Sequence, residues 1–320
     1  MKYYRLNTTS PYENLAVEEY LFRHTDDDVF MLWQNEPTVV LGKNQNAYAE
    51  VDLAYAKEHG IHVSRRITGG GAVYHDLKNL NYTFITSAEN AKVLDYAYFT
   101  EPILRALAEL GLSCSLSGRN DLECEGRKFS GNAQHAEGGR ILHHGTILFD
   151  TDVAVMSRVL RVDREKLEFR AVKSHASRVV NLRELLGDAF GVEDLILHIE
   201  KFLLTTMGAE AAVLPCLPEI DALRARNESD AWIYSDKRYL TSYTIHRKKK
   251  YPFGLVKLAM EMEKDRIARI QISGDFFGTA PIEELEACLI GQRADGLLPM
   301  DLSPYIAGMS FAEFSELIGQ

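Results

Sequence analysis

The sequence has few cysteines and no long apolar segment. Only four of its 320 residues are cysteine. They lie far apart without a Cys-x-x-Cys pair, so neither a disulfide framework nor a zinc site is expected. No apolar run approaches the roughly 20 residues of a membrane-spanning helix. The first residues lack the apolar core and cleavage site of a signal peptide. We therefore expect a cytoplasmic protein with no membrane partner.

Positive charge is also scarce. The chain has 36 lysines and arginines against 46 aspartates and glutamates, which gives a formal net charge of −10. Nucleic-acid-binding proteins usually carry a basic balance, so we expect no nucleic-acid partner. With 46% hydrophobic and 26% charged residues the composition is that of a globular protein rather than a disordered one. No internal repeat is present, and nothing requires more than a monomer.

Helix and strand patterns alternate along the first part of the chain. Ser10 to Glu13 form a capping box with proline at the first helical position, which predicts a helix to about His24. Apolar runs at 29–33 and 38–41, separated by a turn, predict two strands. Alternation over 80–86 predicts a half-buried strand. Because the strands are short and often adjacent, we predict an α+β fold with a mixed, largely antiparallel sheet.

The tail of the chain has a different pattern. Residues 246–250 form a basic run, which we interpret as a solvated linker, with a docking surface for an acidic partner as the alternative. Two strand patterns and two helix patterns follow. We therefore predict a catalytic domain at 1–245 and a small C-terminal α+β accessory domain at 246–320. The alternative is one large domain.

The densest chemical signal is residues 65–76, Arg-Arg-Ile-Thr-Gly-Gly-Gly-Ala-Val-Tyr-His-Asp. Three consecutive glycines contribute no side-chain packing, and they allow a backbone to approach a ligand and expose N–H groups to an anion. The two arginines add positive charge suited to a carboxylate or phosphate. The spacing is neither that of a P-loop nor that of a Rossmann turn. We predict a ligand-binding loop, and a tight turn is the alternative.

Two further motifs follow. Lys128 lies in a glycine-rich segment, where a lysine can stabilise negative charge on a carboxylate or an α-phosphate while an anhydride forms. Asp121 could help to hold magnesium. The alternative is a polar turn with a solvated lysine. The adjacent His143 and His144 point to opposite faces of a strand, so at most one can enter a site. The alternative is one exposed and one buried histidine.

Together these motifs resemble the lipoate–protein ligase A family. The segments that carry the resemblance are 33–45, 65–82, 118–131, 143–146 and 177–182. They follow the family's order and span most of residues 1–190. The resemblance implies a class II aminoacyl-tRNA synthetase/biotin-ligase-like α+β domain followed by an accessory domain. The chain departs from the family at 232–236, where the usual glycine and following proline are absent.

The resemblance implies a reaction in two steps. ATP and lipoate would give lipoyl-AMP and pyrophosphate, with Mg²⁺ as the metal. The lipoyl group would then pass to a lysine of a lipoyl carrier, either a 2-oxoacid dehydrogenase E2 subunit or the glycine cleavage H protein. Which carrier is preferred, and whether octanoate is also used, stay open.

Residue roles also follow from the resemblance. Lys128 would be the catalytic residue, touching both the lipoate carboxyl and the α-phosphate. The implied ATP and adenylate contacts are Arg66, Gly71, Ala72, Val73, Tyr74 and Lys128. The implied lipoate contacts are Arg66, Gly70, Lys128 and His144. Asp121 would be the magnesium ligand.

Two other functions stay open at this point. An octanoyl or lipoyl transferase of the same fold would work through a cysteine thioester, with Cys114 and Cys124 as candidates, but neither has a histidine nearby in the sequence. A non-catalytic lipoate-binding paralogue would be expected to lack Lys128 or one of the glycines. Both features are present here, which favours the ligase.

Overall fold

The computed structural model describes residues 1–161, 179–214, 217–234 and 243–319. The chain divides into two compact units. The first comprises Met1–Val40, Val51–Ser64 and Val73–Ser229, and the second comprises Leu41–Glu50, Arg65–Ala72 and Asp230–Gln320. Within the described ranges, no helix has both the length and the apolar character needed to cross a membrane.

Helices are interspersed with runs of consecutive strands. The helices are Pro11–His24, Ala47–Glu50, Leu53–Glu58, Tyr96–Glu109, Val153–Val159, Arg183–Leu186, Val192–Thr205, Pro218–Glu228, Asp230–Ile233, Ile282–Leu289 and Phe311–Gly319. The strands are β1 (Lys2–Arg5), β2 (Val29–Trp33), β3 (Thr38–Leu41), β4 (His62–Arg65), β5 (Val73–His75), β6 (Asn79–Ser87), β7 (Cys114–Ser117), β8 (Asp121–Cys124), β9 (Arg127–Glu137), β10 (Arg140–Leu148), β11 (Glu210–Ala211), β12 (Ile245–Tyr251), β13 (Gly254–Glu263) and β14 (Arg266–Gly274).

An eight-stranded sheet forms the centre of the first unit. Its order is β11-β1-β2-β6-β10-β9-β8-β7. β1 runs parallel to β2 and β11, and the other neighbours are antiparallel. The predicted mixed, largely antiparallel α+β fold is therefore confirmed. A second, three-stranded sheet has the order β4-β3-β5, in which Thr38 lies opposite His75.

Local sequence signals fix several of these elements. Ser10 accepts a hydrogen bond from the amide of Glu13 at 3.4 Å and begins the first helix, as predicted. The expectation of a half-buried strand at 80–86 is wrong, because every residue from Asn79 to Thr86 is buried. Helices 11–24 and 192–205 both contact this strand. Its polar alternate residues therefore face other protein groups rather than water.

The long C-terminal segment of the second unit has its own small sheet and core. Strands β12, β13 and β14 form an antiparallel sheet in chain order. Side chains of helices 282–289 and 311–319 join its core, among them Leu285 and Phe314. The interpretation of 246–250 as a linker is wrong, because these residues belong to β12, with alternate side chains exposed. Lysines on an edge strand discourage pairing with other chains.

Two segments from early in the chain complete the second unit. Residues 41–50 and 65–72 lie far from its other members in the sequence. The Asn44 carbonyl accepts a hydrogen bond from the amide of Gly274 at 2.9 Å, and Glu50 pairs with Lys257 at 2.9 Å. A domain junction at 245 stays a prediction, since this division follows contacts rather than a single cut in the sequence.

Candidate active site

Lys128 forms an ion pair with Asp121 on the neighbouring strand. Its Nζ lies 2.7 Å from Oδ1 of Asp121, and the two side chains are 39% and 38% exposed. The pairing of β8 with β9 is irregular between Leu122 and Glu123. An exposed pair contributes little to stability, about 0–1 kcal/mol. The Lys128 ammonium is therefore accessible to solvent, and the Asp121 carboxylate beside it fixes its orientation.

The backbone around Lys128 is held by neighbours on both sides. The carbonyl of Lys128 accepts a hydrogen bond from the amide of Val180 at 2.9 Å. The amide of Gly131 donates to Oγ1 of Thr146 on β10 at 3.3 Å. A Cβ at Gly131 would lie only 3.0 Å from the lysine Nζ, so glycine at this position leaves room for the ammonium group.

His144 belongs to a buried polar network. Oε1 of Glu18 accepts from Oγ1 of Thr83 at 2.7 Å and lies 2.9 Å from Nδ1 of His144. Trp33 donates from Nε1 to Thr83 at 2.9 Å. The network fixes the ring orientation of His144 through side chains on two other strands and one helix.

Both adjacent histidines are buried. His143 is 0% exposed and His144 is 8% exposed. The alternative of one exposed and one buried histidine is therefore wrong. Their strand, β10, is paired with β6 on one edge and with β9 on the other, and residues on both of its faces are buried from Ile141 to Gly145.

The sequence analysis missed Glu18. Its side chain is 1% exposed although glutamate is almost never fully buried without a partner. It lies at helical spacing from the buried Leu15, Leu21 and Phe22. A carboxylate within the apolar stripe of an amphipathic helix is the signal that could have found it.

In the second unit, Arg66 organises the glycine loop. Its Nε donates to Oγ1 of Thr68 at 2.8 Å, and its Nη2 donates to the carbonyls of Gly69 and Gly71 at 2.7 and 2.8 Å. Gly70, between those two carbonyls, has a φ of +89°, a conformation that favours glycine. The loop is thus folded around the guanidinium of Arg66.

Arg65 binds backbone rather than presenting charge. Only 2% of it is exposed. Its guanidinium donates to the carbonyls of Gly42, Lys43, Gln45, Trp232 and Ile233. Arg65 therefore joins three segments of the second unit, and of the two arginines only Arg66 touches the glycine loop in these contacts.

The three glycines differ in their surroundings. A Cβ on Gly69 would lie 2.5 Å from the carbonyl oxygen of Phe276, and one on Gly70 would lie 3.1 Å from the ring of Phe277. A Cβ on Gly71 would have nothing within 4 Å. Gly69 and Gly70 contribute no side-chain packing, as expected, but their neighbours are so close that packing itself favours glycine at both positions. Only Gly71 faces open space.

Val73 and Tyr74 follow the loop on strand β5. Tyr74 is buried opposite Val39, and burial together with the nearby Asp76 carboxylate raises the pKa of its hydroxyl. Asp76 itself accepts from the amides of Lys78 and Asp152, each at 2.9 Å, and burial raises its pKa. Its contacts are those of a turn-forming residue.

The residues implied to bind ligands fall into two groups. Asp121, Lys128, His144, Val73 and Tyr74 belong to the first unit, and Arg66, Gly70, Gly71 and Ala72 belong to the second. Lys128 and Asp121 are brought into direct contact, as are Arg66 and Gly71. Residues 177–178 and 235–236 of the motifs compared above lie outside the described residues.

Neither cysteine near Lys128 in the sequence has the properties of a nucleophile. Cys124 is 1% exposed and donates to the carbonyl of Ser113 at 3.4 Å. Burial and the neighbouring Cys124 thiol raise the pKa of Cys114. A thiol with a raised pKa yields little thiolate, so these contacts give no support to a cysteine transferase.

Metal binding would need ligands from the substrate. Within the described part of the chain, no group of three or more His, Cys, Asp or Glu residues could hold a metal ion. Asp121 supplies one partly exposed carboxylate. Magnesium is often held by one or two carboxylates together with substrate phosphates, so the donor set at Asp121 fits a nucleotide-bound ion.

Comparisons with known families cover most of the chain. A family model described as the lipoyl protein ligase A/B catalytic domain matches residues 10–203. One described as the bacterial lipoate protein ligase C-terminus matches residues 241–318. Lipoate-protein ligase LplJ of Bacillus subtilis is 36% identical, over 98% of this chain and 98% of its own. Lipoate–protein ligase 1 of Staphylococcus aureus is 34% identical, over 89% of this chain and 88% of its own.

Solved structures show the same fold. A complex of P. falciparum LipL1 with lipoate has a TM-score of 0.74 at 24% identity and covers 89% of this chain and 88% of its own. A lipoate-protein ligase A bound with ATP has a TM-score of 0.62 at 24% identity, over 73% and 99%. A bipartite ligase studied with its E2 lipoyl domain, from Thermoplasma acidophilum, has a TM-score of 0.65 at 25% identity, over 76% and 98%.

Proposed function

The chain belongs to the lipoate–protein ligase family and is an ATP-dependent ligase, and from this premise we propose how it attaches lipoate to a carrier. Lipoate is activated as lipoyl-AMP, and the lipoyl group passes to one lysine of a lipoyl domain. The acceptors are 2-oxoacid dehydrogenase E2 subunits and the glycine cleavage H protein. The observation that carries this proposal is the partly exposed Lys128 ammonium, held by Asp121, in a chain that matches both ligase domain models.

In the first step a carboxylate oxygen of lipoate attacks the α-phosphorus of ATP. The new P–O bond forms as the bond to pyrophosphate breaks, and negative charge develops on the α-phosphate oxygens. A lysine ammonium has three N–H donors, and Asp121 at 2.7 Å engages one of them. The other donors of Lys128 can stabilise the charge that develops on the phosphate and the lipoate carboxyl.

In the second step the neutral amine of the acceptor lysine attacks the carbonyl carbon of the mixed anhydride. The amide bond forms, AMP leaves with the bonding electron pair, and the amine loses a proton. Lys128 stabilises the charge on the departing phosphate. Lys128 is not itself acylated, because it acts as an ammonium group, which has no lone pair to attack the carbonyl.

The glycine loop supplies the adenylate contacts in this proposal. Gly71, Ala72, Val73 and Tyr74 wrap the nucleotide, partly through backbone atoms. Gly71 is suited to this because its surroundings are open within 4 Å of a Cβ position. Arg66 exchanges one or more loop carbonyls for a phosphate or carboxylate oxygen, which is the stronger acceptor.

Lipoate contacts and magnesium complete the site. Gly70 and His144 join Arg66 and Lys128 on lipoate. Asp121 and the ATP phosphates would hold Mg²⁺, which would neutralise phosphate charge. The 1–245 and 246–320 domains and the cytoplasmic location expected from the scattered cysteines stay predictions.

The test is lipoate-dependent ATP–pyrophosphate exchange by the purified chain with Mg²⁺, beside the Lys128→Ala variant. We expect exchange that requires lipoate and falls about 100- to 1000-fold in the variant. Folded wild-type protein without exchange would contradict the proposal. Acyl transfer without ATP would then identify a transferase, and the absence of both reactions would identify a lipoate-binding paralogue.

A further inference from the structure

A chain of buried polar side chains runs through the sheet next to Lys128. It begins at Gln134, whose Oε1 accepts from the amide of Leu94 at 2.6 Å. This bond fixes the orientation of the Gln134 amide, so its Nε2 is the atom that meets Nδ1 of His143 at 3.1 Å. Nε2 of His143 in turn lies 3.1 Å from Oδ1 of Asn132.

These contacts define the tautomer of His143. Nδ1 accepts from the Gln134 amide, so the proton of the neutral ring is on Nε2 and is donated to Asn132. Burial, with a smaller contribution from His144, lowers the pKa of His143 well below its usual range, and the ring therefore stays neutral. It stacks on Phe99, with centroids 5.0 Å apart and planes 5° apart.

Asn132 receives two donors on one oxygen. The hydroxyl of Tyr82 also donates to its Oδ1. With this oxygen engaged on both sides, Nδ2 points the other way and donates to the carbonyl of Asn120 at 3.1 Å and to Oγ of Ser130 at 3.2 Å. His143 and Tyr82 thus decide which end of the Asn132 amide meets Asn120.

Asn132 and Asn120 are clamped together by three bonds. Besides the Nδ2 contact, the backbone amide of Asn132 donates to the carbonyl of Asn120 at 2.9 Å. Nδ2 of Asn120 returns a bond to the carbonyl of Asn132 at 2.6 Å. The site is built around this amide, since a Cβ on Gly145 would lie 2.2 Å from Oδ1 of Asn132.

The clamp borders the ion pair of the proposed active site on both strands. Asn120 immediately precedes Asp121, and Asn132 immediately follows Gly131. Asp121 and Gly131 lie opposite each other in the β8–β9 pairing, and the Asp121 carboxylate holds Lys128 at 2.7 Å. A change in the orientation of the Asn132 amide would therefore first alter the position of Asp121.

We propose that Asn132, oriented by the Nε2–H of His143, is a positioning residue that aims the Asp121 carboxylate and thereby the Lys128 ammonium for adenylation. The inference rests on the proposed function. Burying this many polar groups costs free energy unless each is paired. The chain of hydrogen bonds found here ends at Asn120, next to the aspartate that holds Lys128.

The matched variants are His143→Gln and His143→Asn. Both remove the ring and its stacking on Phe99. A glutamine amide reaches the position of the ring Nε2 and can still donate to Asn132, whereas an asparagine amide reaches only the position of Nδ1. We expect His143→Asn to lower kcat of lipoate-dependent pyrophosphate exchange about tenfold, and His143→Gln to stay within about threefold of wild type. KM for lipoate and ATP should hardly change in either.

Two controls separate positioning from general stability. Arg226→Ala removes one of the two arginine partners of the buried Glu19 and should lower Tm without lowering kcat. Asn132→Ala should lower kcat at least as much as His143→Asn. Equal kcat in His143→Asn and His143→Gln would overturn the proposed relay from His143 through Asn132 to Asp121. A matching kcat loss in Arg226→Ala would also overturn it.

A second readout is independent of activity. Hydrogen exchange, followed by mass spectrometry of peptides covering 117–123, should be faster in His143→Asn and Asn132→Ala than in His143→Gln. Unchanged exchange protection in all three would overturn the relay even in an active enzyme. A wild-type protein without pyrophosphate exchange would overturn the proposed function, and the hydrogen-exchange comparison would still decide the relay.

Discussion

The Lys128 region and the glycine loop are organised by different means. Lys128 lies on paired strands, and side chains from neighbouring strands fix its surroundings, as in the Asn132–Asn120 clamp. The glycine loop is held by hydrogen bonds from Arg66 to its backbone carbonyls and by close packing at Gly69. In the proposed reaction the lysine is therefore directed before a ligand arrives, whereas Arg66 exchanges a loop carbonyl for the ligand.

The largest expected effect tests whether Lys128 contributes charge rather than structure. Lys128→Ala should cost about 3–4 kcal/mol of transition-state stabilisation in pyrophosphate exchange. Its free energy of unfolding should change by less than about 1 kcal/mol, because the pair with Asp121 is exposed. Urea denaturation beside the exchange assay measures both. If the free energy of unfolding fell as much as the transition-state stabilisation, Lys128 would be a structural residue rather than a source of charge.

Next in size is the loss of a buried ion pair far from Lys128 in the sequence. Glu19 is 4% exposed on its side chain and pairs with Arg226, which is 32% exposed. Arg226→Ala leaves the carboxylate with Arg23 alone, at 3.0 Å. Because one partner remains, the cost should be no more than about 3 kcal/mol, the lower end for a broken buried pair. Urea titration measures this cost, and Arg224→Ala, which breaks an exposed pair on the same helix, serves as the control.

This pair also predicts a pH dependence. Burial alone would raise the pKa of Glu19, but hydrogen bonds and charge from Arg226 and Arg23 outweigh it and lower the pKa below its usual 4.5. The contribution to stability is therefore complete above about pH 4.5 and is lost as the pH falls through the lowered folded-state value. Urea midpoints of wild type and Arg226→Ala should converge as the pH drops. A constant difference between pH 7 and pH 3 would rule out this origin.

A smaller effect tests the packing of the glycine loop. A Cβ on Gly42 would lie 2.1 Å from the carbonyl oxygen of Gly70. Backbone must move to accommodate it, so Gly42→Ala should destabilise the second unit by about 1–3 kcal/mol. Hydrogen exchange over peptides covering 65–72 would locate the change. Protection equal to that of wild type would show that the loop tolerates looser packing.

The smallest stability effect is expected at Gly71. Nothing lies within 4 Å of a Cβ there, and the residue is exposed. Gly71→Ala should leave Tm within about 1 °C, since surface changes usually stay within ±0.5 kcal/mol. KM for ATP should nevertheless rise, because the methyl group occupies the proposed ligand side. An unchanged KM would remove Gly71 from the adenylate contacts.

Local signals in the sequence predicted many elements of the fold. Ser10 and Glu13 predicted the start of the first helix because a capping box depends only on neighbouring residues. The burial of Asn79 to Thr86 on both faces was not predictable from alternation, because it depends on which elements pack against the strand, among them helices 11–24 and 192–205. The basic run at 246–250 was misinterpreted for a related reason. An edge strand with alternating exposure can carry charges that resemble those of a linker.

The candidate site was predictable where glycine or lysine stood out, but the residues that orient these groups were not. Asn132 is an ordinary polar residue in the sequence. The His143-His144 pair does stand out, but the contact of His143 with Asn132 depends on the pairing between β9 and β10. The contact of Gly69 with Phe276 joins residues far apart along the chain, and no local pattern encodes it. Glu18 was the exception, because its place in an apolar stripe was already visible.

Because the second unit is assembled from segments far apart in the sequence, it can finish folding only late in synthesis. Residues 65–72 leave the ribosome long before Phe276 and Phe277, against which Gly69 and Gly70 pack. At about 5–20 residues per second, this interval is about 10–40 s. During that time the nascent glycine loop lacks its packing partner. The loop reaches its final packing only when the C-terminal segment that carries Phe276 and Phe277 has been synthesised.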